Sequence, residues 1–397
     1  MISVDEALAH LFSITKPLCS ETVNLKNAVG RILIEPAIAT RNQPPFDVSA
    51  MDGYAICGGD LRAGVTTWNV IGEAAAGHRF FGSVAAGEAT RIFTGAPMPT
   101  GTDHVLIQEH VTRRAHVITL QDNRNSSPFV RPSGADFKTG FTLSAPCKLS
   151  AQNIALLASM NVPQPKVARK PQVVLIATGD ELVQPGEVPN IDQIIASNTF
   201  GLFAMLQSAG AEPRMLPIAK DRIGSLKQLF SLIGPADLVV TVGGASVGDH
   251  DLVAKAAEGL GMQQSFYKVA MRPGKPLMAG KLHGTLMIGL PGNPVSAMVC
   301  GEIFIVPVIQ KMLGLPAISR QKQTAFLDHD LKKNGPRQHY MRANVINGRA
   351  YVEDRQDSAL LSVLATSNAL VVRSPNEKAL LKGTEIEYIN LTTTPTG

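Results

Sequence analysis

The chain has 397 residues, 45% of them hydrophobic and 17% charged, with a formal net charge of +5. That composition suits a folded protein of two to four domains. The basic excess is mild and forms no continuous stripe, and Trp and Tyr are few, which excludes the usual footprint of a nucleic-acid binder.

Cys19, Cys57, Cys147 and Cys300 are far apart and form no CxxC pair, so neither a zinc site nor a disulfide framework is expected. The first residues, MISVDEALAHLF, carry early acids and no long apolar core, so no secretory signal is expected there. No apolar run is expected to reach the roughly 18 residues that span a bilayer. A cytoplasmic protein without membrane partners is the expectation.

In chain order, Ser3 caps a first helix and Glu6 completes a capping box ahead of Ala7, Leu8, Leu11 and Phe12. From about 47 to 135 short strand patterns (TTWNVIGEA, ATRIFTG, DHVLIQEHV, AHVITLQ) alternate with glycines and prolines, indicating a small β-rich domain. Ser150 opens another helix, AQNIALLASM, which ends near Pro163. The first helix and this one are expected to pack together across the β-rich insertion. The segment 162–172, rich in proline and basic residues, reads as a linker.

Beyond it strands and helices alternate. QVVLIA, EPRMLPIA, DLVVTV and TLMIGL read as strands; SNTFGLFAMLQSAG, SLKQLFSLIG, HDLVAKAAEGLG and the apolar run from Val295 read as helices. Uniformly apolar strands separated by amphipathic helices predict a doubly wound parallel sheet covered on both faces. From about 317 the pattern returns to short strands, a C-terminal β domain. The expected fold is therefore multidomain, α/β and β, with domains at 1–46 plus 136–170, 47–135 (the insert), 171–316 (the α/β domain) and 317–397.

Ligands of such sheets gather at the carboxyl ends of the strands. The first strand end carries Asp180 and Glu181 in TGDEL, the second Asp221; each reads equally as helix capping. The third is GGASVGDHD. Gly243, Gly244 and Gly248 let the backbone approach a phosphate, and Ser246 adds a hydroxyl. Asp249 and Asp251 repel a bare phosphate, yet suit a Mg²⁺ ion held between them and phosphate oxygens. A glycine turn before an acid-capped helix is the plainer alternative.

The fourth end is PGNPVS, where Pro291 and Gly292 precede Asn293 and Pro294 at a helix start and Ser296 follows; free N–H groups there suit an anion. Between the last two lies YKVAMRPGKPL, whose Lys268, Arg272 and Lys275 form either an oxyanion cradle or a solvated loop. By physical chemistry alone Asp52 and Thr94 read as turn residues.

FDVSAMDGYA, RIFTGAPMP, ATGDEL, GGASVGDHD, MRPGKP and LPGNPVSA stand in the order and spacing of the MoeA family, which the chain resembles from about residue 3 to its C-terminus, most weakly after 320. The resemblance implies a homodimer of four-domain chains that finishes the molybdenum cofactor, its active cleft shared between subunits. Molybdenum from molybdate enters adenylated molybdopterin with Mg²⁺-dependent release of AMP. It implies domain 171–316 as the molybdopterin-binding domain and the 1–46 plus 136–170 domain as a linker and dimerisation domain.

By position it implies catalytic roles for Asp52, Thr94, Asp136, Glu181, Ser246 and Asp251, with Asp251 and Asp249 at the metal. Lys268, Arg272, Lys275 and Ser296 line the molybdate or pterin-phosphate site, and Arg342 and Ser358 add anion contacts from the C-terminal domain. Two positions depart from the family pattern: the motif around Asp136, SGADFKTG, and Arg272, which replaces a lysine. Implied partners are the molybdopterin adenylyltransferase and acceptor molybdoenzymes. The rival readings are that adenylyltransferase itself, whose loop reads GGTG, and a non-catalytic molybdopterin carrier or scaffold.

Overall fold

The computed structural model describes residues 1–121, 127–244 and 252–391. It divides into two units, Met1–Glu21 with Ala168–Gly397, and Thr22–Val167.

The larger unit is organised by apolar strands. Gln172–Ala177, Leu238–Val242 and Thr285–Leu290 lie side by side and parallel, with Glu212–Met215 parallel outside the first. Side chains alternate between faces along each strand. Val174, Ile176, Val239 and Met287 meet Leu226, Leu229 and Phe230 of helix Ile223–Ser231 and Val253, Ala256 and Ala257 of helix Leu252–Glu258. The alternate residues, such as Val173 and Leu175, are fully buried as well. Helices Asn198–Ser208 and Pro294–Cys300 pack on strands Gln172–Ala177 and Thr285–Leu290 and on each other.

The sheet is not wholly parallel. Met278–Leu282 pairs antiparallel with Thr285–Leu290, and Gln263–Tyr267 pairs antiparallel with Met278–Leu282. The strand–helix rhythm does not anticipate either strand, because QQSFY and MAGKL lack an apolar run. Together they turn YKVAMRPGKPL into a hairpin connection anchored at both ends.

Helix Pro294–Met312 is 19 residues long, with a π turn at Gly301–Ile305. Contrary to the sequence expectation, its length and composition would allow it to cross a membrane; here 83% of its apolar window is buried inside the protein.

Val4, Ala7, Leu8 and Leu11 form the buried face of helix Val4–Ile14, and its capping box is complete: Glu6 N–H donates to Ser3 Oγ (3.1 Å) and Ser3 N–H to Glu6 Oε2 (2.7 Å). Within the larger unit this helix is anchored through its flanks. Ile2 bridges to Val269, Leu18 N–H donates to Met312 O (2.8 Å), and Lys311 Nζ bonds the Phe12 carbonyl. Main-chain pairing on both flanks thus fixes the helix to the α/β body.

The last segment closes on itself. Strand Gln338–Ile346 pairs with Arg349–Val352, that strand with Lys322–Leu327, then Glu385–Asn390, then Ala369–Arg373, which returns to Gln338–Ile346. Closure leaves no open edge among these five strands. Met271–Arg272 from the hairpin connection adds a short parallel ladder to Gln338–His339.

In the smaller unit a six-stranded sheet contains Gly53–Ile56 between His104–Ile107 and Glu88–Ile92. Trp68 is 1% exposed, and its Nε1–H donates to Asp60 Oδ2 (2.9 Å). Helix Ala151–Ser159 closes a separate core of Leu33, Phe137, Leu149, Leu157 and Met160.

Asp237 ties the start of the larger unit's sheet. It accepts from Arg169 Nη1 (2.9 Å), Arg169 Nη2 (2.8 Å) and Gln172 N–H (2.7 Å). Asp237→Ala strands these donors and is expected to cost roughly 1–3 kcal/mol, read as a lower urea midpoint in equilibrium unfolding.

Candidate functional site

The parallel strands end against one another without side chains intervening. A Cβ on Gly243 would lie 2.4 Å from Thr178 O, and one on Gly244 2.5 Å from Val253 Cγ2; both glycines have positive φ, 94° and 65°. The Gly243–Gly244 turn therefore admits no other residue type without displacement. Gly292 of the next strand end lies beside this turn, its would-be Cβ in ordinary contact 3.5 Å from Gly243 Cα. Asn198 Nδ2 donates to Gly292 O (2.7 Å), and Thr178 and Gly243 N–H groups bond to Val242 O and Leu290 O.

Acids crowd the neighbouring strand ends. Asp221 N–H donates to Asp180 Oδ1 (3.3 Å), and Lys220 Nζ to Asp180 O (3.4 Å). Burial, then Glu181, then Asp180 push the Asp221 carboxyl up from the usual range, and its Oδ1 is buried without a hydrogen-bond partner. Excess carboxylate oxygen, with Lys220 bonded to a carbonyl and not to a carboxylate, is the donor chemistry that suits a hard ion such as Mg²⁺. Among the described residues, no group of three His, Cys, Asp or Glu side chains forms a metal site. Ser246, Gly248, Asp249 and Asp251 lie outside the described residues.

The cationic connection is held from three directions. Lys268 N–H donates to Leu277 O and Val269 N–H to Lys275 O, both at 3.0 Å. Ala270 N–H donates to Ile2 O (2.7 Å) and Gln338 N–H to Ala270 O (3.0 Å). Gly274, at φ 107°, lies where a Cβ would meet Cys300 Sγ at 2.4 Å. Lys268 has φ 74° and its Nζ lies 5.1 Å from the Tyr267 ring centroid. A backbone so pinned presents Arg272 and Lys275 from fixed positions.

The C-terminal β domain reaches the same region. Asn293 Nδ2 donates to Ser358 Oγ (3.1 Å), and Val295 N–H to Ser358 O (3.0 Å), so a strap seals the start of helix Pro294–Cys300. Arg342 has no exposed surface; its Nη2 donates to Arg355 O (3.1 Å) and Asp357 O (2.9 Å), while Nε and Nη1 have no partner. Burial, then the Arg272 charge, pull its pKa below the ordinary guanidinium value. Ser296 is 4% exposed. The structure thus joins Asn293 directly to Ser358 and brings Arg272 within electrostatic reach of Arg342.

The smaller unit holds the other predicted residues. Asp52 Oδ1 accepts from Thr94 N–H (2.7 Å) and Thr94 Oγ1 (2.8 Å), which hold its carboxyl below the usual range, with Arg91 assisting. Gly53 is obligatory next to it, since a Cβ would lie 1.9 Å from Leu106 O. Asp136 is exposed, and its N–H donates to Gln43 O (2.9 Å).

Arg91 went unnoticed in the sequence. It lies 5.1 Å from the Tyr54 ring centroid and 4.7 Å from that of Phe93, and bonds Gly53 O and Gln108 Oε1. Its only sequence signal is its place in the alternating strand ATRIF.

Known proteins resemble the whole chain. Residues 2–161 match the MoeA N-terminal region (domain I and II), 174–311 a probable molybdopterin binding domain, and 324–391 the MoeA C-terminal region (domain IV). A molybdopterin molybdenumtransferase of Nostoc sp. is 34% identical over 98% of this chain and 94% of its own length. One from Haemophilus influenzae is 35% identical over 94% of each. The crystal structure of the MoeA molybdopterin biosynthesis protein of Pyrococcus horikoshii superposes with a TM-score of 0.86 at 28% identity, covering 99% of this chain and 100% of that one.

The acid cluster generates a direct expectation. Because the Glu181 charge helps raise the Asp221 carboxyl, Glu181→Gln lowers the Asp221 pKa, followed by carboxyl ¹³C NMR titration. An unchanged titration would leave burial and the Asp180 charge as the causes.

Proposed function

The chain belongs to the MoeA family, and from that membership we propose that it is a molybdopterin molybdenumtransferase, inserting molybdenum from molybdate into adenylated molybdopterin with release of AMP. The structural observation that carries this reading is the wholly buried Arg342 with two unpartnered nitrogens, close to Arg272. Molybdate is a tetrahedral dianion, and buried cationic donors hold such an ion far better than solvated ones. Lys268, Lys275, Ser296 and Ser358 complete the proposed molybdate and pterin-phosphate set.

The adenylate pyrophosphate is assigned to the turns of Gly243, Gly244, Pro291, Gly292 and Asn293, where backbone approaches without side chains, together with Gly248 of the adjoining loop. Asp180 and Asp221 flank it. Release of AMP is a hydrolysis. A water oxygen bonds to phosphorus, the phosphoanhydride P–O bond breaks, and the water proton passes to a carboxylate. Asp52, Asp136 and Glu181 are the proposed carboxylates and Ser246 a hydroxyl donor, while Thr94 fixes the Asp52 rotamer through its two hydrogen bonds. Mg²⁺, held by Asp249 and Asp251, would neutralise phosphate charge.

We further propose a cytoplasmic homodimer with the domain boundaries given by the sequence pattern. It would take substrate from the molybdopterin adenylyltransferase and pass product to acceptor molybdoenzymes.

Purified protein given adenylated molybdopterin and Mg²⁺ is expected to release AMP and yield active cofactor only when molybdate is added. AMP formation from ATP and molybdopterin without molybdate would indicate an adenylyltransferase, and tight binding without either product a carrier. Asp251→Ala is expected to fold normally and release no AMP. Thr94→Val, which removes one of the two bonds to Asp52, should lower kcat about tenfold or more with little change in KM; a pure KM effect would place Thr94 in substrate binding instead.

A further inference from the structure

We propose that the C-terminal β domain carries a second oxyanion-binding pocket, floored by the cross-strand row Arg272, His339 and Arg373 and flanked by Lys332 and Lys333. Arg272 stands opposite His339 on the parallel ladder, and His339 opposite Arg373 on the antiparallel one. Directly opposed residues project to the same face of a sheet. All three border a cavity of about 360 Å³. None of Lys275, Ser296, Arg342 and Ser358 lines that cavity, so it is distinct from the proposed molybdate set, though Arg272 borders both.

The sign of the ligand is set at the floor of the pocket, not by the wall as a whole. Arg373 is committed to Glu377 and to the carbonyls of Lys332 and Lys378. Of the acids on the wall, Asp330 accepts Lys382 N–H and Glu353 accepts the Asn344 amide. Arg272, Lys332 and Lys333 make no ion pair among the described residues; neutral donors leave the charges of Asp330 and Glu353 in place, so with Asp354 these acids balance the three cations over the wall as a whole. At the floor the balance is local and positive, because His339 stands between Arg272 and Arg373 on its two ladders.

His339 supplies the second observation. It is 6% exposed, and its Nε2 is buried with no hydrogen-bond partner. Burial holds it down to about 4, with further lowering from Arg272, Arg342, Arg373 and Arg337, the charged groups facing it. Its two ladder neighbours, Arg272 and Arg373, offer the imidazole donors and no acceptor. A tetrahedral oxyanion such as inorganic phosphate would supply an acceptor to the ring and to Arg272 together, and would offset the cationic field on the imidazole.

The test follows the His339 ring by ¹H–¹⁵N NMR, assigned with His339→Asn, while inorganic phosphate is titrated into the full-length protein. Saturable binding is expected, with the His339 pKa rising above about 4. Phosphate affinity should consequently increase as pH falls through the bound-state value. The charge reversal Lys332→Glu/Lys333→Glu, on two exposed side chains, should weaken binding about tenfold, the equivalent of one pKa unit. The His339 response should persist in Lys275→Ala.

Absence of any His339 response would overturn the proposal. So would affinity unchanged by charge reversal, which marks an adventitious ion only, or loss of the response in Lys275→Ala, which places the ion in the neighbouring set. None of these outcomes bears on AMP release, so the proposed activity stands or falls separately.

Discussion

The short ladder between Met271–Arg272 and Gln338–His339 is the constraint on which the cationic chemistry depends. A hairpin connection leaving the α/β sheet would ordinarily wander in solvent, carrying its charges with it. Here its main chain is recruited as an extra strand of the C-terminal barrel, while Ile2 pairs with it from the N-terminus. Backbone hydrogen bonds can hold like charges together where side-chain contacts would not, because their geometry is indifferent to side-chain charge. Arg272, His339, Arg342 and Arg373 are thereby concentrated although nothing attracts them to one another.

The opposite sign gathers a short distance along the chain by a different device. Asp180, Glu181 and Asp221 are delivered by parallel strands that end at the same level, a consequence of the parallel registers Gln172↔Glu212 and Val173↔Leu238. Between acids and cations in the chain stands the glycine turn at 243–244, where close approach forbids a Cβ. A site with carboxylates, bare backbone and guanidiniums in the same fold can receive a ligand that is itself divided, with a metal ion against the acids and anions against the rest.

Much of this was legible in the sequence, and the failures have physical reasons. Strands Gln172–Ala177, Leu238–Val242 and Thr285–Leu290 are buried on both faces, so their composition announces them. Gln263–Tyr267 lies at the sheet edge with only Phe266 buried, and Met278–Leu282 owes its burial to neighbours rather than to a pattern of its own. The capping box at Ser3 was readable because it is local. The helix's packing partner was not, since an apolar stripe tells what is buried and not against what.

The same distinction runs through the site. Glycines, acids and prolines at strand ends are motif-dense and could be found. His339 and Arg91 sit singly in alternating strands and acquire their surroundings only from pairing across 67 and 37 residues, to Arg272 and Tyr54 respectively.

Those surroundings also explain why two groups titrate in opposite directions from ordinary behaviour. Asp221 is raised because acids crowd it in a half-buried place, and His339 is lowered because it is buried among guanidiniums. Each shift records a charge the protein leaves uncompensated by its own side chains. Asp357 and Glu353 act on Arg342, and Lys220 precedes Asp221, yet the Arg342 guanidinium bonds the Asp357 carbonyl and Lys220 Nζ the Asp180 carbonyl, not a carboxylate. Asn293 and Ser358 bind each other at one edge, and the Asp180 carboxylate accepts from the Asp221 backbone at the other, while Arg342 Nε and Nη1 and Asp221 Oδ1 keep no hydrogen-bond partner. The unpaired ions are retained where a charged ligand gains most from meeting them, in places where burial limits the screening that would otherwise weaken the contact.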